Sequence, residues 1–489
     1  MKYTSVKQNA ILNVIRSLLA VLFPIITYPY AARVVGVVNI GKVNYIASFI
    51  AYFTIFAMFG IDTYGVRECA SVRDDREQAS VLASRLWSYS LLTTVISLIG
   101  LGLLTFIYIP LHSYVPVILI QSLMVVFTTV GADWINVVYE DYTYTTLRGI
   151  TINIINMVIL FVFVHRPEDY LIYAFLTVSS VVLGGIVNIF RIRKFVTLRL
   201  SSIPDFRETT RRLMPFLVND MSIAVYVGMD MTILGIMHGD YRVGVYSAAV
   251  KIYTMVKTVF IAIFSVTLAR LSAHIAAGEK DEFRKLVSGV TSVFMILAFP
   301  AMMGLILYAE PVILLIAGPE YYESPISLRL LAVALAFAAF GGIATRCANV
   351  PLGFERVNTF ATIFAAIENT VLNIPMIYFF RETGAAITTI LAELSVLIIC
   401  LINFRREGLK WRSVVTGHDL RDTLCGVAGI AVLYPIVKKL CSSDIAVAIV
   451  GIILSVIVYF GILLLMRNEI VLDSIRKGSG RLFKSNKGS

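Results

Sequence analysis

Several charged residues lie within long apolar stretches of this sequence, where they could bind an ion or transfer a proton. Lys251 and Lys257 lie in one such stretch, and Asp230, Glu368 and Glu393 lie in three others. Lysine and arginine side chains bind phosphate or carboxylate groups, and a carboxylate in apolar surroundings can take up and release a proton. These residue types indicate a site for an anion, a site for ion coupling, or both.

The elements that carry these charges are predicted to cross a membrane. The 489 residues are 58% hydrophobic and 15% charged, whereas soluble domains are about 45–50% apolar and about 25% charged. The apolar residues form unbroken stretches such as 96–109, 115–130 and 445–466. Stretches of about 18–25 residues match a hydrocarbon layer of about 30 Å at about 1.5 Å per helical residue. We therefore expect an all-α polytopic membrane protein.

About fourteen transmembrane spans are predicted from the breaks at charges, Pro and Gly. Their expected bounds are 10–33, 42–61, 81–108, 114–138, 144–165, 170–191, 212–236, 244–269, 285–308, 325–349, 356–380, 384–404, 421–438 and 445–466. With both termini in the cytoplasm, the inside segments hold 29 of the 42 Lys and Arg residues and the outside segments hold 7. This asymmetry is what the positive-inside rule predicts. One span more or fewer would reverse the bias halfway along the chain, so an even count is favoured.

The sequence contains no pattern typical of an enzyme or of a metal site. The five cysteines show no CxxC or Cys/His spacing, and no HExxH, GxSxG, P-loop or GxGxxG motif occurs in a suitable loop. We therefore expect no catalytic residues, no metal and no cofactor.

The net charge of +11 is explained by basic loops at the membrane, so a nucleic-acid partner is not expected. The N-terminal apolar run lacks a small-residue cleavage site and is interpreted as a retained first span.

A weak internal repeat relates the two halves of the sequence. Gly36 and Gly41 frame the turn between spans 1 and 2, and an offset of 203 residues leads to Gly239 and Gly244 between spans 7 and 8. Turn glycines recur in unrelated hairpins because they permit positive φ, so two similar turns without common origin are the alternative. The offset equals six spans and preserves their direction. It favours a parallel repeat of six-helix halves, an architecture that recurs in transporters.

Several segments are similar to a known family. The stretches 24–36 (PIITYPYAARVVG), 60–68 (GIDTYGVRE), 73–75 (RDD), 229–235 (MDMTILG) and 243–249 (VGVYSAA) resemble Wzx-type O-antigen and polysaccharide flippases. That family belongs to the multidrug/oligosaccharidyl-lipid/polysaccharide (MOP) exporter superfamily, together with MATE antiporters and lipid II flippases. The resemblance implies an N-terminal six-helix lobe (1–205), a second lobe (206–410), and two further helices with a basic cytoplasmic tail (411–489).

The resemblance also implies a function, a location and partners. A protein of this kind would move an undecaprenyl-pyrophosphate-linked oligosaccharide, such as an O-antigen unit of lipopolysaccharide, across the bacterial inner membrane. The expected partners are this lipid-linked glycan, the bilayer, and the polysaccharide polymerase with its chain-length machinery. The protein would be multi-pass, with both termini in the cytoplasm.

A pyrophosphate headgroup would need cations on its route through the membrane. A charge near the bilayer centre costs about 2.5–3.5 kcal/mol on insertion scales, so it requires a partner or a wet cavity. We predict that four basic residues line a cationic cavity between the lobes, where alternating access would carry the substrate across. Three acids are the candidates for ion coupling. The basic residues are Arg16, Lys251, Lys257 and Arg346, and the acids are Asp230, Glu368 and Glu393.

Two alternatives remain open at this point. Each basic side chain could instead extend its charge to the membrane surface or form a structural ion pair with a neighbouring helix, as Asp230 could with Lys251 or Lys257. On the same fold, a MATE-type cation-coupled antiporter of drugs or metabolites is the rival function. Such an antiporter would favour an acidic cavity, whereas the basic residues suit an anionic lipid.

Overall fold

The computed structural model describes residues 22–203, 205–406 and 417–473. Within these ranges every regular element is a helix, short turns join the helices, and no strand occurs. The expected all-α fold is therefore confirmed. Arg16 and about half of the first predicted span lie outside the described residues.

The helices follow one another along the chain with short connections. Their bounds are α1 (22–35), α2 (Val37–Met58), α3 (Ile61–Ala70), α4 (Arg76–Ile107), α5 (Val115–Gly131), α6 (Trp134–Val138), α7 (Tyr142–Phe163), α8 (Tyr170–Ile192), α9 (Phe206–Ala276), α10 (Lys280–Leu307), α11 (Ala309–Ile316), α12 (Ser324–Gly342) with a π-helical extension (Ile343–Asn349), α13 (Glu355–Arg406), α14 (Gly417–Leu440) and α15 (Asp444–Leu465).

Local sequence signals set several of these helix ends. The carboxylate of Asp75 accepts hydrogen bonds from the backbone N–H groups of Glu77 and Gln78 and so caps the start of α4. Ser443 caps α15 in the same way. Such caps satisfy N–H groups that have no partner within the helix.

Eleven stretches of the described residues are long and apolar enough to cross a membrane. Many of their large apolar side chains are exposed, including Phe106, Phe163, Phe190 and Leu465. A polytopic helical protein turns such side chains towards lipid because its helices satisfy their own backbone hydrogen bonds.

Two of the long helices, α9 and α13, contain a residue outside helical geometry. In α9 it is Gly239 (φ 76°, ψ −174°), and in α13 it is Arg381 (φ 54°, ψ −134°). These positions fall between predicted spans 7 and 8 and between spans 11 and 12. We name the parts α9a (206–238), α9b (240–276), α13a (355–380) and α13b (382–406). The count of about fourteen spans stays a prediction, because span 1 begins outside the described residues.

The chain divides into two compact units. Unit 1 comprises the described part of Met1–Ser247 together with Thr370–Glu382, and unit 2 comprises the described part of Ala248–Asn369 and Thr383–Ser489. In unit 1, α5 packs against α8 and α2, and α2 packs against α4. In unit 2, α10 packs against α12 and α14, and α14 packs against α15. Small residues permit close helix contacts in both units, as where Gly131 of α5 meets Gly185 of α8.

A ladder of serines fixes the chain that follows α8 in unit 1. Three serines spaced four residues apart on α4 accept hydrogen bonds from alternate backbone N–H groups of the segment 193–203. Four helical residues rise about 6 Å and two extended residues span about 6.6 Å, so the two spacings match. The pairs are Ser80 with Thr197 (3.0 Å), Ser84 with Arg199 (3.1 Å) and Ser88 with Ser201 (2.9 Å).

Two glycines of the predicted repeat make equivalent contacts within unit 1. A Cβ atom added to Gly41 would lie 1.9 Å from Asp240 O, and one added to Gly244 would lie 2.0 Å from Val37 O. The two contacts are equivalent under the offset of 203 residues. Gly41 corresponds to Gly244, and Val37 corresponds to Asp240. The two hairpin turns therefore touch through a reciprocal backbone contact, which we call the glycine contact. This symmetry supports the predicted parallel repeat.

We predict that Gly41→Ala and Gly244→Ala each lower the free energy of unfolding by about 1–3 kcal/mol, since an added methyl group overpacks the glycine contact. Thermal unfolding of the purified protein in detergent measures the change. Gly102→Ala is the matched control, because no atom lies within 4 Å of its added Cβ and alanine favours the helix. Equal melting temperatures for all three variants would contradict the prediction.

Candidate functional site

Two of the predicted site residues form an ion pair in unit 2. Lys257 Nζ of α9b lies 2.5 Å from Glu393 Oε1 of α13b. Tyr253, one turn before Lys257, donates its hydroxyl hydrogen to the same carboxylate oxygen at 3.0 Å and accepts a hydrogen bond from Lys257 Nζ at 3.1 Å. The Glu393 side chain is 8% exposed and that of Lys257 is 30% exposed. We call these three side chains the Lys257 triad. In it the positive charge of Lys257 and the negative charge of Glu393 cancel within two predicted membrane spans.

The Lys257 triad has the form of the alternative that the sequence left open, an ion pair with a neighbouring helix. The substrate role of Lys257 and the coupling role of Glu393 stay predictions. In the structure each neutralises the other. Removing one partner of a buried ion pair leaves a buried charge uncompensated, at a cost of about 3–5 kcal/mol. An anion can therefore bind Lys257 only if the charge of Glu393 is cancelled in another way.

Lys251 lies on the same helix but on a different face. It is half-buried, and six residues of helix place it about 120° around the axis from Lys257. The two lysines therefore do not form one continuous row along α9b.

Arg346 lies on the π-helical extension of α12. Its side chain is exposed, and within the described ranges it forms no ion pair and no hydrogen bond. Amide side chains brace the widened turn: Asn349 donates to Asn358 Oδ1 (2.8 Å), and Asn358 donates to Thr345 O (3.0 Å). Single π-helical turns occur often at functional sites. Arg346 is therefore a predicted cation that no carboxylate of the described residues neutralises.

Asp230 is buried in unit 1, where α9a packs against the segment 370–382 of α13. Its Oδ2 accepts a hydrogen bond from the Tyr246 hydroxyl at 2.7 Å, and its Oδ1 accepts one from Asn373 Nδ2 at 2.6 Å. Further along, the chain bends and Arg242 forms a 3.0 Å ion pair with Glu382. Asp230 thus receives neutral donors from two helix segments.

Glu368 of α13a is half-buried in unit 2. Its Oε2 atom is inaccessible and has no hydrogen-bond partner among the residues that the structure describes. A carboxylate oxygen without a donor is unfavourable in an apolar environment. Glu368 is therefore a position where a proton or another cation would be stabilising.

Sequence reasoning missed the tyrosines that complete two of these sites. Tyr253 could have been found, because it lies four residues before Lys257 and so on the same helix face. Tyr246 could not, since it lies 16 residues from Asp230 and beyond the bend at Gly239.

Comparisons with known proteins agree with the helical architecture. The chain is 20% identical over 382 residues to the putative O-antigen transporter of Shigella dysenteriae, covering 78% of this chain and 95% of that protein. Its fold is similar to that of the lipid II flippase MurJ in an inward closed conformation, with a TM-score of 0.75, 16% identity, and coverage of 94% of this chain and 99% of that one. An inward-facing multidrug resistance MATE transporter of the MOP superfamily matches with a TM-score of 0.61, 14% identity, and coverage of 81% and 98%.

These similarities confirm the MOP fold that the resemblance implied. A second match concerns the sequence itself: residues 6–273 match the polysaccharide biosynthesis protein family. That region is more than half of the 489 residues. The chain therefore belongs to the polysaccharide biosynthesis protein family.

Proposed function

We propose that the protein is a flippase that moves a lipid-linked glycan across the bacterial inner membrane. Membership of the polysaccharide biosynthesis protein family is the observation that carries this proposal. The names of two similar proteins, an O-antigen transporter and a lipid II flippase, support it. These relatives are transporters, so the protein is not an enzyme.

The finer proposal concerns the substrate and its direction. The lipid carrier is undecaprenyl pyrophosphate, and the glycan unit passes from the cytoplasmic to the periplasmic leaflet by alternating access. Both termini lie in the cytoplasm, as the distribution of Lys and Arg residues indicates. On the periplasmic side the glycan would pass to the polymerase and its chain-length machinery. The guanidinium of Arg346, which no carboxylate among residues 22–203, 205–406 and 417–473 neutralises, and the ammonium groups of Lys251 and Lys257 supply the positive charge that a diphosphate needs.

The Lys257 triad suggests how substrate binding is coupled to a proton. Glu393 neutralises Lys257. A phosphate oxygen that takes the place of Glu393 would leave a buried carboxylate uncompensated, unless Glu393 binds a proton at the same time. Substrate binding is then accompanied by proton uptake, and release of the phosphate allows the ion pair to form again. Asp230 and Glu368 are the further candidates for ion coupling.

Deletion of the gene tests the proposed function. We expect lipid-linked glycan units to accumulate in the cytoplasmic leaflet and surface polysaccharide to be lost, because no other step of assembly is affected. Leaflet-specific labelling of the lipid-linked glycan measures the accumulation. Normal surface polysaccharide with altered drug tolerance would instead favour a MATE-type antiporter.

Variants of the Lys257 triad test the role of the pair. We expect Lys257→Met to reduce flipping at least tenfold, with a loss of stability of about 3–5 kcal/mol because Glu393 is left unpaired. The double variant Lys257→Met/Glu393→Gln should regain stability without regaining transport. Lys285→Met is the control, since this lysine is 73% exposed at the start of α10. Full transport by the stable double variant would contradict a substrate role for Lys257.

Proton coupling has a separate test in proteoliposomes. We expect an imposed pH gradient to change the flipping rate of the unaltered protein. The Glu393→Gln variant should not respond, because its side chain cannot bind the proton. A rate that is indifferent to the gradient in the unaltered protein would remove the coupling role.

A further inference from the structure

A cavity lined by both apolar and polar groups lies within unit 1, and it does not include the Lys257 triad. It has a volume of about 460 Å³ and is bounded by α2, α3, α5, α7 and α8. This volume is within the range of about 300–1,000 Å³ that is usual for small-molecule sites. Its polar lining includes Thr54, Asp62, Asp133, Arg148, Asn153 and Ser180.

The one arginine of the cavity lining is neutralised. Arg148 of α7 binds Asp133 through two hydrogen bonds, of 2.7 Å to Oδ1 and 2.6 Å to Oδ2. It also donates to Gly184 O at 3.3 Å, and its guanidinium lies over the Tyr144 ring. A bidentate pair of this kind uses the geometry with which arginine would bind a phosphate. Arg148 therefore has little capacity left for an anionic ligand.

Asp62 brings a negative charge to the cavity and lacks a donor. Its carboxylate accepts no hydrogen bond from any residue within the described ranges, although α3 belongs to a membrane-spanning stretch. The carboxylate of Asp220 is an electrostatic neighbour of Asp62 and repels its charge. A ligand that donates hydrogen bonds would stabilise Asp62, and a phosphate would be repelled by it.

One wall of the cavity presents amide and hydroxyl groups from α7 and α8. Asn156 Nδ2 donates to Ser180 Oγ at 3.3 Å, and Ser180 donates to Asn153 Oδ1 at 3.3 Å. The amide hydrogens of Asn153 have no acceptor in the part of the chain that the structure describes. The wall can thus donate to a ligand, while Asp62 can accept from it. The Phe127 side chain adds an apolar surface to the lining.

We infer that this cavity binds the saccharide part of the lipid-linked glycan. Sugar hydroxyls both donate and accept hydrogen bonds, as this lining requires, and they carry no charge that Asp62 would repel. The inference rests on the proposed flippase function and assigns the neutral part of the substrate to unit 1. The diphosphate is bound elsewhere, at the basic residues.

Binding to the full-length protein in nanodiscs tests the inference with two probes. The first is the lipid-linked glycan purified from the deletion strain, and the second is synthetic undecaprenyl pyrophosphate without sugar. We expect Asp62→Asn and Asn153→Ala each to weaken binding of the first probe about tenfold and to leave binding of the second unchanged. The expected size follows from the loss of one hydrogen bond between the protein and the ligand. Thr151→Ala, on the exposed face of the same helix, is the matched control and should change neither.

The outcomes separate this inference from the proposed function. If the unaltered protein binds both probes and the two variants weaken them equally or not at all, the cavity is not a saccharide site and the flippase function stands. If the unaltered protein binds neither probe, the proposed function fails and the inference fails with it. The cation tetraphenylphosphonium serves as a third probe. If the variants weaken only its binding, the cavity belongs to an antiporter and the inference is overturned.

Discussion

A charge inside the hydrocarbon layer has to be compensated, and this requirement explains how the polar residues of the protein are arranged. Lys257 meets Glu393, Arg148 meets Asp133, and Asp230 receives two neutral donors. Each partner comes from a separate helix segment. The interactions therefore contribute to helix packing as well as to neutrality.

Some charged groups among the described residues lack such a partner and are therefore open to a ligand. Arg346 is presented by a braced π-helical turn, and Glu368 has a buried oxygen with no donor in the described part of the chain. Asp62 lines a cavity together with amide and hydroxyl groups. The charges of these groups differ in sign, and Arg346 and Glu368 belong to unit 2 whereas Asp62 belongs to unit 1.

Much of the fold could be predicted from the sequence, whereas the site could be predicted only in part. Long apolar stretches and the distribution of basic residues follow directly from the physics of the bilayer, and the similar segments identified the family. The partner of Lys257 could not be predicted, since Glu393 lies 136 residues away and hydropathy does not report which helix faces meet. The serine ladder was missed for the same reason. The four-residue spacing of the serines on α4 can be read from the sequence. The extended segment 193–203 that donates to them cannot be identified from the sequence.

The glycine contact has an evolutionary consequence. Contacts in which position i of one copy meets position j of the other, and j meets i, are the mark of an isologous interface in a twofold dimer. The pairing of Gly41 with Asp240 and of Val37 with Gly244 has this form within one chain. It is what would remain if two identical ancestral subunits had first associated and their genes had then fused. The sequences of the two halves would then have diverged elsewhere. At the glycine contact, a side chain on either half would separate the two hairpins.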